Sequence, residues 1–268
     1  LLYASLHIGK NMNNLRVTMV QTRLHWEDIP ANLQQFDEKL APLAHQTDLV
    51  ILPEMFTTGF SMNAAPLAEP MDGKTMQWLR AKAAALNAVV TGSFIAEEEG
   101  AYYNRLVWMR PDGSYETYDK SHLFTFADEN RHYTPGKRRL VVDLHGWKIL
   151  PLICYDLRFP VWSRNVEGYD LLIYVANFPE LRRFAWTSLL TARAVENLAY
   201  TIGINRVGTD GNDISYSGDS TLLDFSGQTL YHVSHVENIF TATISYKAQQ
   251  AFRQRFTFLN DRDSFTLH

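Results

Sequence analysis

Apolar residues alternate between two rhythms along the chain. Runs of about four to eight apolar residues predict strands, and recurrence every three to four positions predicts helices. Residues 16–21 read as a first strand. Over 32–43, Leu33, Phe36, Leu40 and Leu43 share one helical face. Residues 48–54 form a short apolar run that ends in an acid, Glu54. Such a run predicts a buried strand, and a charge at the carboxyl end of one often belongs to a site. An alanine-rich helix is expected over 74–86, and a strand over 88–96 with Gly92 inside it. Residues 103–110 and 115–118 form a hairpin around Pro111-Asp112-Gly113-Ser114, which supplies the turn chemistry. A second hairpin pairs 140–144 with 147–153 around His145-Gly146. A buried strand at 169–175, an amphipathic helix over 179–198 and a strand at 200–205 come next. Strands at 215–224 and 239–244, with a turn at Gly227, close the pattern. The tail after Phe252 alternates aromatic and charged residues and is expected to pack against a partner subunit.

No fixed-period repeat and no Ser/Gly/Pro-rich linker interrupts this order, so residues 15–268 read as one domain. Residues 1–14 differ from the rest and read as a leader or a remnant ahead of the fold. Alternating elements with hairpins imply an α/β protein, with a mixed sheet or two sheets and helices outside. The 268 residues are 46% hydrophobic, enough for a substantial core. Lys and Arg total 25 against 29 Asp and Glu, a formal charge of −4. Neither nucleic acid nor an anionic membrane finds a dominant positive field in that balance. A single cysteine excludes an intrachain disulfide and a thiolate-rich zinc site, and fits a reducing, cytoplasmic setting or a thiol kept for its reactivity. Apolar stretches such as 171–176 are far too short to cross a bilayer.

Three segments offer chemistry. They are Leu52-Pro53-Glu54-Met55-Phe56, Tyr118-Asp119-Lys120-Ser121-His122-Leu123-Phe124, and Leu152-Ile153-Cys154-Tyr155-Asp156-Leu157-Arg158-Phe159-Pro160. Each sets an ionisable group beside or just after an apolar strand. Cys154 follows its strand in the manner of a nucleophile elbow. A cysteine attacks as thiolate, and a free pKa of roughly 8.5 leaves little of it ionised near neutrality. Lys120 would supply a positive field and Glu54 would take the proton. These are the parts for cysteine-based acyl transfer, with Glu rather than His as the base.

Taken together and in this order, the three segments resemble the Glu-Lys-Cys signature of the nitrilase superfamily, the carbon–nitrogen hydrolases. Segments 174–178 and 192–197 extend the resemblance, which spans roughly residues 16–244. Cys154-Tyr155-Asp156-Leu157-Arg158-Phe159 is similar to the branch that holds the omega-amidases, which hydrolyse the terminal amide of 2-oxo diacid monoamides. The resemblance implies a four-layer α-β-β-α sandwich, paired as a homodimer. It also implies a second catalytic glutamate, for which Glu129 matches best, ahead of the Pro135-Gly136 turn. The implied reaction runs through a cysteine thioester, with Lys120 and the backbone N–H of Tyr155 facing the oxyanion. No metal and no cofactor are expected, because the nucleophile is the protein's own sulfur. Arg158 is expected to pair with a substrate's distal carboxylate through its planar fork. Phe60, Asn177 and Phe178 are expected to bind the small amide substrate, with Tyr103 and Trp186 as further aromatic candidates.

Other readings compete. The same chemistry would serve a nitrile, an N-carbamoyl compound or another small amide, and a catalytically silent binding subunit is the third possibility. Arg158 has a structural alternative, a pair with Asp156. Arg193 and Glu196 have the i, i+3 spacing of an ion pair or a dimer contact. His232 and His235 have ligand-like spacing but no evident partner acid or third ligand, so a metal site is not expected there. Residues 131–139 read as a solvated basic loop broken by Pro135-Gly136, and 208–211 lack the lysine of a phosphate loop.

Overall fold

The computed structural model describes residues 14–266, so the expected leader lies, apart from Asn14, outside the described residues. The chain runs β1 (Leu15–Gln21), α1 (Ile29–Leu40), β2 (Leu49–Ile51), α2 (Ala64–Leu67), α3 (Lys74–Leu86), β3 (Val89–Glu98), β4 (Ala101–Met109) and β5 (Tyr115–Asp119). It continues through α4 (Glu129–His132), β6 (Val142–Leu144), β7 (Trp147–Ile153), a 3-10 turn (Cys154–Arg158), α5 (Pro160–Ser163) and β8 (Leu171–Ala176). It finishes with α6 (Arg183–Asn197), β9 (Tyr200–Asn205), β10 (Val207–Thr209), β11 (Ser215–Leu223), β12 (Thr229–Ser234), β13 (Asn238–Ile244) and α7 (Tyr246–Arg255).

These strands make two mixed sheets. The first has six strands in the order β13-β1-β2-β3-β4-β5, and the second has seven, β10-β11-β9-β8-β7-β6 with β12 beside β11. The centre of each sheet is parallel, β1-β2-β3 in one and β7-β8-β9 in the other. Strand parity sorts the side chains into layers, because successive residues point to opposite faces. Leu15, Val17, Met19, Leu49, Ile51, Leu106 and Trp108 face inward, against Trp147, Ile149, Leu171 and Ile173 of the second sheet. Their neighbours Val20, Val50, Leu52, Val90, Val107 and Met109 face outward, against α1 and α3 through Phe36, Leu40, Met76, Leu79 and Ala83. On the far side, α6 covers the second sheet with Trp186, Leu190 and Ala194. The result is the expected α-β-β-α sandwich.

Local chemistry explains the element ends. The Asp28 side chain accepts from the Ala31 N–H and caps α1, with Pro30 in its first turn. α3 stops at Asn87 in the left-handed region. β2 is shorter than its apolar run, because Pro53 has no N–H to continue a ladder. α6 begins at Arg183 rather than at 179, since Pro179 is extended and a 3-10 turn intervenes. The short helices α2, α4 and α5 escape the sequence pattern, and so do three further elements. β10 is only three residues long, β12 has no fully buried residue, and Gln249 is the fully buried residue of α7. The aromatic tail begins inside its own chain, where Phe252 lies 4.9 Å from Phe225 and 4.7 Å from Phe256. Among the described residues, no helix is long and apolar enough to cross a membrane.

Gly203 in β9 lets α6 sit close to the sheet. A Cβ there would lie 2.4 Å from Leu190 Cδ1 and 2.6 Å from Trp186 Cζ2. Gly203→Ala should therefore destabilise the fold by about 1–3 kcal/mol through overpacking. Urea unfolding checks this: a lower midpoint with unchanged slope is expected, and an unchanged midpoint contradicts the close contact.

Candidate active site

Loops at the carboxyl ends of strands from both sheets meet at one place, the usual location for a site in α/β sheets. Glu54 comes three residues after β2, Lys120 directly after β5, Cys154 directly after β7 and Asn177 directly after β8. Asn104 reaches the same place from within β4. The structure thus brings together Glu54, Lys120, Glu129 and Cys154, which the sequence places up to a hundred residues apart.

Lys120 sits between two carboxylates. Its Nζ donates to Glu54 Oε1 at 2.9 Å and to Glu129 Oε1 and Oε2 at 3.0 and 2.9 Å. All three side chains are completely buried. Burial alone lowers the Lys120 pKa, but the charges of Glu129 and Glu54 outweigh it and hold the ammonium above its ordinary value. Burial raises the Glu129 pKa; Lys120 opposes that shift, the Glu54 charge adds to it, and the net direction is up. Further donors satisfy the carboxylates, as buried charges require. Asn104 Nδ2 donates to Glu54 at 2.8 Å and to Glu129 at 3.4 Å. The Asn177 N–H donates to Glu54 Oε2 at 2.8 Å, and the Phe124 N–H to Glu129 Oε2 at 2.5 Å. Asn177 Nδ2 also donates to the Glu54 carbonyl at 2.6 Å. Phe60 lies under Lys120, its ring centre 5.0 Å from Nζ. The Pro135-Gly136 turn backs the strand end: Gly136 N–H donates to the Lys120 carbonyl at 2.9 Å, and a Cβ on Gly136 would lie 2.1 Å from the Asp119 carbonyl oxygen.

Cys154 occupies the sharp bend from β7 into the 3-10 turn. Its φ of +42° is left-handed, a conformation that costs a non-glycine residue about 1–3 kcal/mol. Asp156 holds the bend. Its carboxylate accepts from Ile153 N–H at 3.0 Å, Tyr118 O–H at 2.7 Å and His122 N–H at 3.1 Å, and lies 2.7 Å from His122 Nδ1. One buried acid therefore ties the cysteine bend to the segment that carries Lys120. Tyr155 follows Cys154 in the first turn, where helical geometry leaves an N–H without an internal partner. The Cys154 thiol lies 3.9 Å from the Asn177 carbonyl oxygen. Burial pushes its pKa well above the ordinary thiol value; the Glu54 charge and a hydrogen bond to Glu54 push the same way, while Lys120 opposes. Burial and the Glu54 carboxylate both favour a resting thiol over a standing thiolate.

Lys120 and Cys154 open onto a cavity of about 670 Å³, whose lining includes Phe60, Phe124, Tyr155, Arg158, Asn177, Phe178, Arg182 and Tyr216. Arg158 is exposed and does not pair with Asp156, whose oxygens are taken. Phe178 is fixed by its N–H to Asn205 Oδ1 at 2.8 Å and by Trp186 behind it at 5.2 Å. Tyr103 lies under the Arg105 guanidinium, and Arg193 pairs with Glu196 at 3.0 Å. His232 does have an acid partner, Asp219, at 3.0 Å, which corrects the sequence reading. Even so, no group of three or more metal-ligating side chains forms among the described residues. Asn104, the clamp role of Asp156 and Arg182 were not singled out from the sequence. Asn104 carried a faint signal as a polar residue at a buried position of the strand pattern.

A family model, carbon-nitrogen hydrolase, matches residues 16–254. The chain belongs to the carbon–nitrogen hydrolases, enzymes acting on linear amides and related bonds. It is 45% identical to omega-amidase YafV of Escherichia coli (strain K12) over 257 residues, covering 96% of this chain and all of that protein. It is 30% identical to a 2-oxoglutaramate amidase of Bacillus subtilis (strain 168), over 86% of this chain and 90% of that one. A CN-hydrolase superfamily protein from Xanthomonas campestris, solved with an arsenic adduct in its active site, superposes with a TM-score of 0.94 at 47% identity, covering 96% of this chain and all of that chain.

The resting protonation state is open to a direct check. Alkylation of Cys154 by iodoacetamide should accelerate with pH through and beyond about 8.5, the free thiol value. A rate already level at neutral pH would show a resting thiolate and contradict the assignment.

Proposed function

We propose that the protein is an omega-amidase that releases ammonia from small dicarboxylic monoamides such as 2-oxoglutaramate and 2-oxosuccinamate. The observation that carries the reading is the Cys154 bend beside the Glu54–Lys120–Glu129 cluster, in a cavity that also presents arginine. The similarity to YafV and to the 2-oxoglutaramate amidase supports the choice of substrate.

The chemistry follows from the contacts. Glu54 Oε2 accepts from Asn177 N–H and keeps a lone pair for the thiol proton. As that proton moves to Glu54, Sγ attacks the amide carbonyl carbon, and the carbonyl electrons move to oxygen. Lys120 and the Tyr155 N–H stabilise this oxyanion, donors that can each be worth about 3 kcal/mol. The tetrahedral adduct collapses, the C–N bond breaks, and Glu54 returns the proton to the leaving nitrogen. Ammonia departs and a thioester remains. Water then gives a proton to Glu54 and its oxygen to the carbonyl. The C–S bond breaks, and Glu54 reprotonates the sulfur. Glu129 holds Lys120 in place throughout.

Charge orients the substrate. With both acids ionised, Lys120, Glu54 and Glu129 leave one net negative charge at the reactive end. Arg158 and Arg182 line the same cavity, and neither pairs with a carboxylate among the described residues. An acid amide therefore enters amide first, with its carboxylate turned toward an arginine and away from Glu54. This is the physical ground for preferring an acid amide over a neutral nitrile or an N-carbamoyl compound. Phe60 and Phe178 supply apolar walls, and Asn177 positions the base.

The proposal extends to assembly and setting. Residues 15–268 act as one catalytic domain, in a cytoplasmic homodimer. Phe184 and Val195 are exposed on α6 and lie three turns apart on one stripe, an apolar surface suited to a second copy. The free cysteine fits a reducing compartment.

Incubation with 2-oxoglutaramate should release one ammonia per amide consumed, faster than from a nitrile or an N-carbamoyl amino acid of similar length. Cys154→Ala should abolish release. Equal turnover by Cys154→Ala overturns the nucleophile, and a nitrile or carbamoyl preference overturns the substrate.

A further inference from the structure

Many arginines in this structure are spoken for. Arg183 donates to Asp219 at 2.6 Å, Arg105 to Asp119 at 2.6 Å and Arg139 to Glu167 at 2.6 Å. Arg193 donates to the Leu157 carbonyl at 2.6 Å and Arg253 to Asp170 at 2.8 Å. The buried Arg206 donates to backbone carbonyls. Arg182 is different. It is half-buried and lines the reactive cavity, and among the described residues its guanidinium makes no hydrogen bond and no ion pair. What holds it is aromatic: its Cζ lies 4.9 Å from the Phe124 ring centre and 5.7 Å from that of Phe178. Stacking on ring faces fixes the plane of a guanidinium while leaving its N–H edges free, and those edges match a carboxylate two-to-two.

The two supporting rings belong to the catalytic loops. Phe124 N–H donates to Glu129, and Phe178 directly follows Asn177, which donates to Glu54. The guanidinium is thereby registered to the reacting centre through two short segments. Arg158 lines the same cavity but is exposed, and among the described residues no ring contact holds its guanidinium. The acids in the cavity wall pair with neither Arg158 nor Arg182 among the described residues. Asp210 accepts from Tyr216 O–H at 2.8 Å and from the N–H groups of Asn212 and Ile214. Glu180 faces His235 at 3.8 Å.

We infer that Arg182, rather than Arg158, holds the distal carboxylate of the substrate and sets the preference for acid amides. This rests on the omega-amidase reading and names the specificity residue within it. A pre-stacked guanidinium loses less freedom on binding than an exposed one, so the same ion pair yields more affinity.

The test compares kcat/KM for 2-oxoglutaramate with that for pentanamide, a neutral amide of the same chain length. Arg182→Ala should reduce this preference about 10- to 100-fold, mainly through KM for the acid amide, the scale of a lost charged hydrogen-bond pair. Arg182→Lys should recover part of it, and Arg158→Ala should change it by less than about threefold, as for an exposed charge. Calorimetric binding of the product 2-oxoglutarate gives a second readout independent of turnover, and should weaken in Arg182→Ala by a similar factor. An unchanged preference with unchanged product binding in Arg182→Ala, or a larger loss in Arg158→Ala, overturns the inference while leaving the amidase reading intact. A wild-type protein that prefers pentanamide and fails to bind 2-oxoglutarate overturns that reading, and the inference with it.

Discussion

One ammonium held between two carboxylates, with no solvent reaching any of the three, is the interaction on which the rest of the site depends. Taking ions out of water costs several kcal/mol each, and mutual attraction offsets this only when the remaining lone pairs and protons are satisfied. Here Asn104, the Phe124 N–H and the Asn177 N–H complete the arrangement around Lys120, Glu54 and Glu129. Each donor comes from a different segment, so the carboxyl ends of strands in both sheets must arrive together. Deleting Lys120 would leave two buried carboxylates facing each other without their cation, a cost of about 3–5 kcal/mol. The cluster consequently fixes geometry as well as charge.

That fixed charge also decides how the nucleophile behaves. Burial and the Glu54 carboxylate keep the Cys154 thiol protonated, against the pull of Lys120. A resting thiolate would be reactive toward any electrophile that entered. In the proposed mechanism the thiol becomes nucleophilic as its proton leaves for Glu54, while negative charge builds on a carbonyl oxygen facing Lys120. Selectivity is then built from the same materials. In the proposed reading a net negative reactive end turns an acid substrate around, and Arg182 receives its carboxylate.

Much of this was legible in the sequence, for identifiable reasons. The strand runs and the helix at 74–86 follow from burial patterns that leave little alternative, and the two hairpins from Pro111-Asp112-Gly113 and His145-Gly146. Glu54, Lys120 and Cys154 stand where apolar runs end, and their order resembles one superfamily. Glu129 was visible only through that resemblance, because a glutamate in a polar loop gives no local hint that it is buried. β10, β12 and α7 were missed since β10 is very short and β12 and α7 bury few apolar residues. Asp156 reads as one letter of a motif, and only the fold shows it joining the Cys154 bend to Tyr118 and His122. Arg182 cannot be told from Arg183 in a string; Asp219 takes one and the aromatic rings take the other.

The central claim is that Glu54 moves the proton that lets Cys154 form an acyl bond. Intact-mass spectrometry of acid-quenched reactions with 2-oxoglutaramate tests it most directly. The wild-type chain should gain the mass of the substrate less one ammonia, located on Cys154, and Glu54→Gln, a near-isosteric change that removes the base, should gain none. A Glu54→Gln chain that acylates as fast as the wild type would contradict the account.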